Sequence, residues 1–209
     1  MTRRTVVFDV GGVIVRWQPL ELLQQQLPMV AIDEASAREV MAQVFQNWGE
    51  GADWVDFDLG RVEPEALADR IAARTGYPRP AVAALIAAIP SHILPMAPSM
   101  ALVQQVRAAG HRLALLSNMP APYAAHLEAA HDCFGWFEHR TWSGRVGLMK
   151  PERPIFEHVR DALALDLDHT VFIDDHLANI EAARRFGWQA LHFENAEQCG
   201  AALTRDGWL

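Results

Sequence analysis

Side chains able to take part in catalysis follow three separate apolar segments of the chain. Asp9 directly follows the first segment, Ser117 ends the second, and Asp174-Asp175 end the third. Each has an ordinary explanation when taken singly, as a turn residue, a helix cap or an acidic helix start. In an open α/β sheet, however, ligands bind outside the carboxyl ends of the strands. The joint pattern of carboxylates and a hydroxyl therefore predicts one site.

The elements that must position these groups alternate along the chain. Continuous apolar runs predict strands at 5–8, 112–117, 170–174 and 188–193, and such runs are typical of a parallel sheet covered on both faces. Helical patterns lie between them, with Ser99 as an N-cap, Pro154 as a first helical residue and Gly187 as a C-terminal stop. The fold class predicted is α/β, a doubly wound Rossmann-like parallel sheet core.

One stretch interrupts this alternation. Residues 17–93 contain no convincing strand and indicate helices near 20–27, 34–48, 64–74 and 80–89. So long a connection is not a loop. We predict a helical cap at 17–93, inserted after the first strand into a catalytic core of residues 1–16 and 94–209. The connections near 16–19 and 94–98 are then the expected hinges.

Composition limits the classes of function. Of 209 residues, 51% are hydrophobic, which excludes global disorder, and the formal charge of −8 argues against a nucleic-acid binder. An anionic substrate therefore needs a local cationic patch. No segment is typical of a signal peptide or a membrane span, and Cys133 and Cys199 show no paired spacing. We expect reduced thiols, a cytoplasmic protein without membrane or nucleic-acid partners, and a monomer or homodimer.

Four motifs occur in a recognisable order along nearly the whole chain. They are Phe8-Asp9-Val-Gly-Gly-Val13, Leu116-Ser117-Asn118, Lys150-Pro151-Glu152 and Ile173-Asp174-Asp175-x-x-x-Asn179. Together they resemble the motifs of the haloacid dehalogenase superfamily, and the helical insertion resembles its cap. Within that superfamily the chain is similar to the bacterial α-D-glucose-1-phosphate phosphatases, which share an Asp-x-Gly first motif.

The resemblance implies a magnesium-dependent phosphoryl transfer. Asp9 would be the nucleophile and would form an aspartyl-phosphate that water hydrolyses. Mg²⁺ relieves the repulsion between a carboxylate and a phosphate. It prefers oxygen ligands, which Asp9, the Gly11 carbonyl and Asp174 would supply, with Asp175 acting directly or through a water.

The resemblance also implies a phosphate-binding set. Ser117 and nearby backbone N–H groups would hold phosphoryl oxygens, and Asn118 would contact the phosphate or the adjoining substrate. Lys150 would offset developing negative charge and hold Asp9 in place. Trp17, close after the first motif, would wall the pocket at the hinge. The implied partner is a small phosphorylated metabolite.

The first motif departs from the pattern of most phosphatases of the superfamily. Their second aspartate, which protonates the leaving group, is replaced here by Gly11. General acid–base catalysis is typically worth about 10²–10⁴-fold in rate. One hypothesis is a phosphatase for esters with an acidic leaving group, such as glucose 1-phosphate. The alternatives are a 2-haloacid dehalogenase, whose halide leaves without a proton, and a non-catalytic phosphometabolite-binding protein.

Substrate recognition is expected to involve the predicted cap. Trp48 and Trp54 lie there with Asp53, Asp56 and Asp58 around them. An aromatic face with carboxylates would suit sugar hydroxyls. Alternatively, the tryptophans belong to the cap core and the carboxylates to a solvated loop. What replaces the missing acid stays open among bulk water, a cap residue and the substrate.

Overall fold

A five-stranded parallel sheet forms the centre of the computed structural model, which describes residues 4–209. Its spatial order is β3-β2-β1-β4-β5, with β1 Thr5–Phe8, β2 Arg112–Ser117, β3 His139–Trp142, β4 Thr170–Asp174 and β5 Gln189–His192. The chain moves outward from β1 in both directions, so the doubly wound topology is confirmed. β1 lies at the position where the winding reverses, which is where such folds bind ligands.

Helices cover both faces of this sheet and fill the long connection after β1. That connection holds α1 Pro19–Gln26, α2 Glu34–Phe45, α3 Asp53–Asp58, α4 Pro64–Thr75 and α5 Arg79–His92. The later helices are α6 Ala97–Ala108, α7 Ala121–Ala130, α8 Ser143–Val146, α9 Arg153–Leu163, α10 Leu177–Phe186 and α11 Ala196–Arg205. We call residues 17–93 the helical insertion. Within 4–209, no helix is both long and apolar enough to cross a membrane.

The apolar runs of the strands reflect burial on both faces. Val7 and Phe172 pack with residues of α9 and α10, whereas Phe8 and Leu115 belong to the cluster on the opposite face. Successive side chains of a strand point to opposite sides. Because both sides are covered, alternation of polar and apolar residues is absent from the central strands.

Several expected boundaries are wrong in detail. Ser99 is not an N-cap, because α6 already begins at Ala97 and Pro98 suits its first turn. Pro154 is likewise the second residue of α9 rather than the first, since that helix starts at Arg153. The strand β3 and the helix α3 were not predicted. Gly187 does end α10, in the left-handed conformation at φ 100°.

The helical insertion is joined to the sheet domain by a continuous row of aromatic rings. Trp17 contacts Phe45 at 6.0 Å between ring centroids, and Phe45 contacts Trp54 at 4.4 Å. Phe57 then lies 5.6 Å from Trp54 and 5.3 Å from Tyr123, which belongs to α7. Such edge-on pairs add to the free energy gained by burial. The insertion therefore packs on the core through side chains as well as through its two connections.

Those two connections are bonded to each other. The Arg16 amide donates to the Leu94 carbonyl at 2.9 Å, and the Met96 amide donates to the Ile14 carbonyl at 2.9 Å. Val15 and Pro95 pair between them as an antiparallel bridge. The outgoing and returning chains thus form one short ribbon at the base of the helical insertion.

Candidate active site

Three neighbouring strands end with the side chains that the sequence singles out. Asp9 follows β1, Ser117 is the last residue of β2, and Asp174 is the last residue of β4. Phe8 pairs in register with Leu115 of β2 and Ile173 of β4. Parallel pairing therefore brings all three residues to the same edge of the sheet, as expected.

Lys150 lies between two of these carboxylates. Its Nζ is 2.8 Å from Asp9 Oδ1 and donates to Asp174 Oδ2 at 2.7 Å, and all three side chains are buried. Asn118 fixes the backbone of this lysine through a reciprocal pair of hydrogen bonds. Its amide nitrogen donates to the Lys150 carbonyl at 2.8 Å, and its oxygen accepts from the Lys150 amide at 2.8 Å. Asn118 is thus a positioning residue for Lys150.

Oxygen atoms of Asp9, Asp174 and Asp175 lie within 4.8 Å of one another. Burial raises the pKa of Asp9 above its usual range although Lys150 opposes the shift. Burial also acts on Asp174, but Lys150 and hydrogen bonds overcome it and lower the pKa of Asp174. Asp175 Oδ1 is buried without a hydrogen-bond partner among the described residues. Three carboxylates thus share one lysine, and the cluster is short of positive charge.

Asn179, for which the sequence suggested no individual role, and the backbone amide of His176 support this cluster. Asn179 Nδ2 lies 3.0 Å from both carboxylate oxygens of Asp174, and the His176 amide donates to Asp174 Oδ1 at 2.7 Å. At Gly12, with φ +73°, a Cβ would lie only 2.3 Å from Asp175 Oδ2. The Gly11-Gly12 pair in the sequence therefore indicates that the loop after β1 packs closely against the carboxylates, where a side chain would not fit at Gly12.

A cavity of about 470 Å³ opens between this centre and the helical insertion. Asp9, Gly11, Ser117, Asn118, Lys150 and Asp175 line it from the sheet side, and Trp17 lines it near the connections. Asp174 is buried beneath and is not part of the lining. The structure therefore brings the predicted phosphate-binding residues to a single cavity, with the predicted metal ligands Asp9, Gly11 and Asp175 in its lining and Asp174 directly beneath them.

The rest of the lining is mainly apolar. Its apolar residues come from the insertion and from the core, and they are Val15, Trp17, Trp48, Trp54, Ile89, Ile93, Met119, Pro120, Tyr123 and Met149. Trp48 stacks on Phe45 at 4.9 Å between centroids and keeps 39% of its surface exposed. Tryptophans of the insertion thus belong both to its core and to the cavity wall.

The three aspartates of helix α3 make different contacts. Asp53 and Asp56 form ion pairs with arginines of α4 and line no part of the cavity. Asp58 instead lines the cavity, with only 4% of its surface exposed. Its carboxyl has no hydrogen-bond or ion-pair partner within residues 4–209. Burial raises the pKa of Asp58 to about 8.

This burial predicts a pH-dependent stability cost. In the unfolded chain the Asp58 carboxyl ionises near 3.8, whereas in the folded protein it keeps its proton up to about pH 8. Between these two pH values the folded protein holds a proton on Asp58 that the unfolded chain has lost. The free energy of unfolding therefore falls as the pH rises. We expect Asp58→Asn to gain on the order of 2 kcal/mol relative to wild type between about pH 5 and pH 7. Urea unfolding in EDTA measures this change.

Asp56→Asn is the matched control for that experiment. Asp56 lies on the same helix but is partly exposed and paired with Arg70 at 3.1 Å. Its substitution is expected to leave the pH dependence of unfolding as in wild type. A pH dependence of Asp58→Asn that parallels wild type would contradict the raised pKa of Asp58.

The fold is a doubly wound α/β sheet, and its buried carboxylate–lysine centre lies beneath a helical insertion. Together these features define an α/β enzyme with a candidate site at the strand ends. The model of the haloacid dehalogenase-like hydrolases matches residues 3–187. The chain belongs to this family, and both the resemblance in its motifs and the hydrolase class are thereby confirmed.

Curated and solved relatives cover nearly the whole chain. The chain is 24% identical over 195 residues to the sesquiterpene phosphatase astK of Aspergillus oryzae, covering 93% of this chain and 92% of that protein. A HAD-like family hydrolase from Porphyromonas gingivalis superposes with a TM-score of 0.71 at 24% identity, covering 98% of each chain. The HAD family enzyme bt-2542 of Bacteroides thetaiotaomicron, in complex with magnesium and inorganic phosphate, gives 0.71 at 18% identity, covering 91% and 93%. At these identities the structural similarity shows the fold.

Proposed function

We propose that the protein is a magnesium-dependent phosphomonoesterase that works through a phosphoryl group on Asp9. The observation that carries this proposal is Lys150, buried between Asp9 and Asp174 at the wall of the cavity. A chain with a formal charge of −8 repels phosphate esters overall, so they require such a local cation. The relative named as a sesquiterpene phosphatase supports the same reaction class.

The carboxylate cluster fits a divalent cation. One lysine leaves the charge of Asp9, Asp174 and Asp175 incompletely offset, and Asp175 Oδ1 is buried and unpartnered among the described residues. Asp9, Asp174 and the Gly11 carbonyl would hold Mg²⁺, with Asp175 directly or through water. When bound, the ion supplies Lewis-acid stabilisation of phosphoryl oxygens. The magnesium and phosphate held by the Bacteroides thetaiotaomicron enzyme support this assignment.

The remaining steps follow from side chains of this chain. A carboxylate oxygen of Asp9 forms a bond to phosphorus while the ester P–O bond breaks, and the leaving oxygen takes up a proton. Lys150 orients Asp9 and offsets the negative charge that develops. Ser117, at the end of β2, faces the same cavity and donates its hydroxyl to a phosphoryl oxygen. Water then hydrolyses the aspartyl-phosphate, which releases phosphate and regenerates Asp9.

The cavity wall favours an apolar leaving group. The insertion contributes aromatic and aliphatic side chains there, whereas two of the three aspartates of α3 are paired with arginines of α4 outside the cavity. An alkyl, aryl or isoprenoid monophosphate buries more apolar surface on this lining than a sugar phosphate does. We therefore place isoprenoid or similar apolar monophosphates ahead of glucose 1-phosphate. Glucose 1-phosphate remains the substrate predicted from the acidity of its leaving group.

Phosphate release from a panel of esters tests this function. The panel holds farnesyl phosphate, glucose 1-phosphate, glucose 6-phosphate and p-nitrophenyl phosphate, each with Mg²⁺ and with EDTA. We expect Mg²⁺-dependent release, restored when Mg²⁺ is added back to the EDTA sample, and the highest kcat/KM on farnesyl phosphate. A preference for glucose 1-phosphate would contradict the apolar leaving group while keeping the phosphatase.

Gly11 favours the alternatives, because the acid expected two positions after Asp9 is absent. Chloride release from 2-chloropropionate in EDTA, without phosphate release, would identify a 2-haloacid dehalogenase instead. Binding of phosphate without turnover of any ester would identify a non-catalytic phosphometabolite-binding protein. Either outcome overturns the phosphatase proposal.

A further inference from the structure

We propose that Asp58, on helix α3 of the insertion, is the general acid that protonates the leaving oxygen of the substrate. This inference rests on the phosphatase function proposed above and assigns the step that Gly11 cannot perform. A Cβ at Gly11 would meet no atom within 4 Å, so the space for an acid there is left open. Apolar alcohols are poor leaving groups without a proton, and the proton must come from another wall of the cavity.

Asp58 is placed to act on the leaving group rather than on the phosphate. It lines the cavity from the insertion, whereas Asp9 and Ser117 line it from the ends of strands and Lys150 from the turn before α9. A phosphate held at the strand ends extends its ester oxygen and organic group toward the insertion. The carboxyl of Asp58 therefore faces the side of the substrate from which the alcohol departs.

The other titratable groups in the lining either have a structural partner or lie on the sheet side of the cavity. Besides Asp58 they are Asp9, Tyr123, Lys150, Asp175 and His176. The Tyr123 hydroxyl donates to the Ile86 carbonyl at 2.8 Å. His176 precedes α10 on the sheet side, next to Asp175. The remaining three form the carboxylate–lysine centre.

The state of the carboxyl suits the role. Asp58 is buried without a cation or hydrogen-bond donor on its side chain among residues 4–209. Burial raises its pKa to about 8, so the group holds a proton at neutral pH. A proton donor works best when its pKa lies near the working pH. A buried carboxyl with no structural partner is also costly to keep, which is typical of functional sites.

Asp58 completes a balanced reaction. As the Asp9–phosphorus bond forms and the ester P–O bond breaks, the Asp58 proton passes to the leaving oxygen and a neutral alcohol departs. Asp58 is then a carboxylate. Water that attacks the aspartyl-phosphate gives up a proton to Asp58, so both aspartates return to their starting states.

Comparison of two leaving groups tests the assignment. We expect Asp58→Asn to lower kcat/KM for n-octyl phosphate by about 10²-fold or more, because its alkoxide must be protonated. For p-nitrophenyl phosphate, whose leaving group is stable as an anion, we expect a loss below about 3-fold. We compare kcat/KM because it covers only the steps up to formation of the phosphoenzyme. It therefore leaves out the later hydrolysis of the phosphoenzyme, to which Asp58 contributes equally for every substrate. Asp56→Asn, on the same helix, is expected to match wild type on both esters.

A series of aryl phosphates adds a structural control. The slope of log kcat/KM against leaving-group pKa is expected to be steeper for Asp58→Asn than for wild type, a change that a purely structural defect does not produce. An equal loss on both esters, or no loss on either, overturns the role of Asp58 while the phosphatase stands. If wild type hydrolyses no ester and Asp9→Asn behaves identically, the phosphatase proposal fails and this inference fails with it.

Discussion

Asp9→Asn is expected to abolish phosphate release with every ester, lowering kcat by about 10⁴-fold or more, because an amide cannot replace a nucleophilic carboxylate. Wild type, quenched during turnover, is expected to carry one additional phosphoryl group in its intact mass, and Asp9→Asn none. Peptide mapping should place that group on Asp9. The loss is expected for p-nitrophenyl phosphate as well as for alkyl esters, which separates the nucleophile from Asp58.

Two controls accompany this variant. Asparagine has nearly the shape of aspartate and keeps an oxygen for the Val10 amide, which now donates to Asp9 Oδ1 at 2.6 Å. Lys150 also keeps its buried pair with Asp174 in this variant, so Asp9→Asn is expected to unfold at a urea concentration close to that of wild type. Asp161→Asn, an exposed carboxylate far along the chain on α9, should leave kcat unchanged. Substantial turnover by Asp9→Asn would contradict the assignment of the nucleophile.

Lys150→Met is expected to reduce both stability and activity. Lys150 is fully buried between Asp9 and Asp174, and it is the only lysine in the sequence. Removal of one partner of a buried ion pair costs about 3–5 kcal/mol, because an uncompensated charge remains. We expect a loss of this order in urea unfolding with EDTA, and a decrease in kcat of about 10²-fold or more.

Added Mg²⁺ distinguishes the two roles of this lysine. A cation held by the same carboxylates stabilises the folded state by mass action, so Mg²⁺ should return part of the lost stability but not the lost activity. The control variant is Arg153→Met. Arg153 is exposed and forms an i,i+4 ion pair with Glu157, so its replacement should change the free energy of unfolding by less than about 0.5 kcal/mol. Unfolding of Lys150→Met within that same margin of wild type would contradict the buried ion pair.

The central sheet and its polar strand ends were predictable because burial on both faces leaves a strong apolar signal. β1, β2 and β4 are continuous runs, with Asp9 directly after β1 and with Ser117 and Asp174 as the last residues of β2 and β4. β3, His139-Arg-Thr-Trp142, lies at the edge of the sheet, and its first half is polar and partly exposed. This edge strand has no continuous apolar run, so the local sequence did not reveal it.

Asp58 could not be distinguished from its neighbours by sequence. Asp53, Asp56 and Asp58 share one short helix and one residue type, and the sequence suggests either a sugar-binding set or a solvated loop. Only the packing of that helix separates them, because it turns two toward the arginines of α4 and the third into the cavity. Whether a carboxylate forms an ion pair or lines a cavity depends on long-range contacts, which the spacing of residues along the chain does not encode.

The ribbon formed by the two connections restricts how the insertion can move against the sheet. Its main-chain hydrogen bonds join Arg16 to Leu94 and Met96 to Ile14, so sliding or twisting one connection past the other breaks them. Bending both together keeps them intact. The insertion is also bonded to the core away from the ribbon, because the Ser143 hydroxyl donates to the Asp58 carbonyl and the Tyr123 hydroxyl donates to the Ile86 carbonyl. The position of the Asp58 carboxyl in the cavity is therefore set by the fold before a substrate binds, so proton transfer starts from one defined geometry.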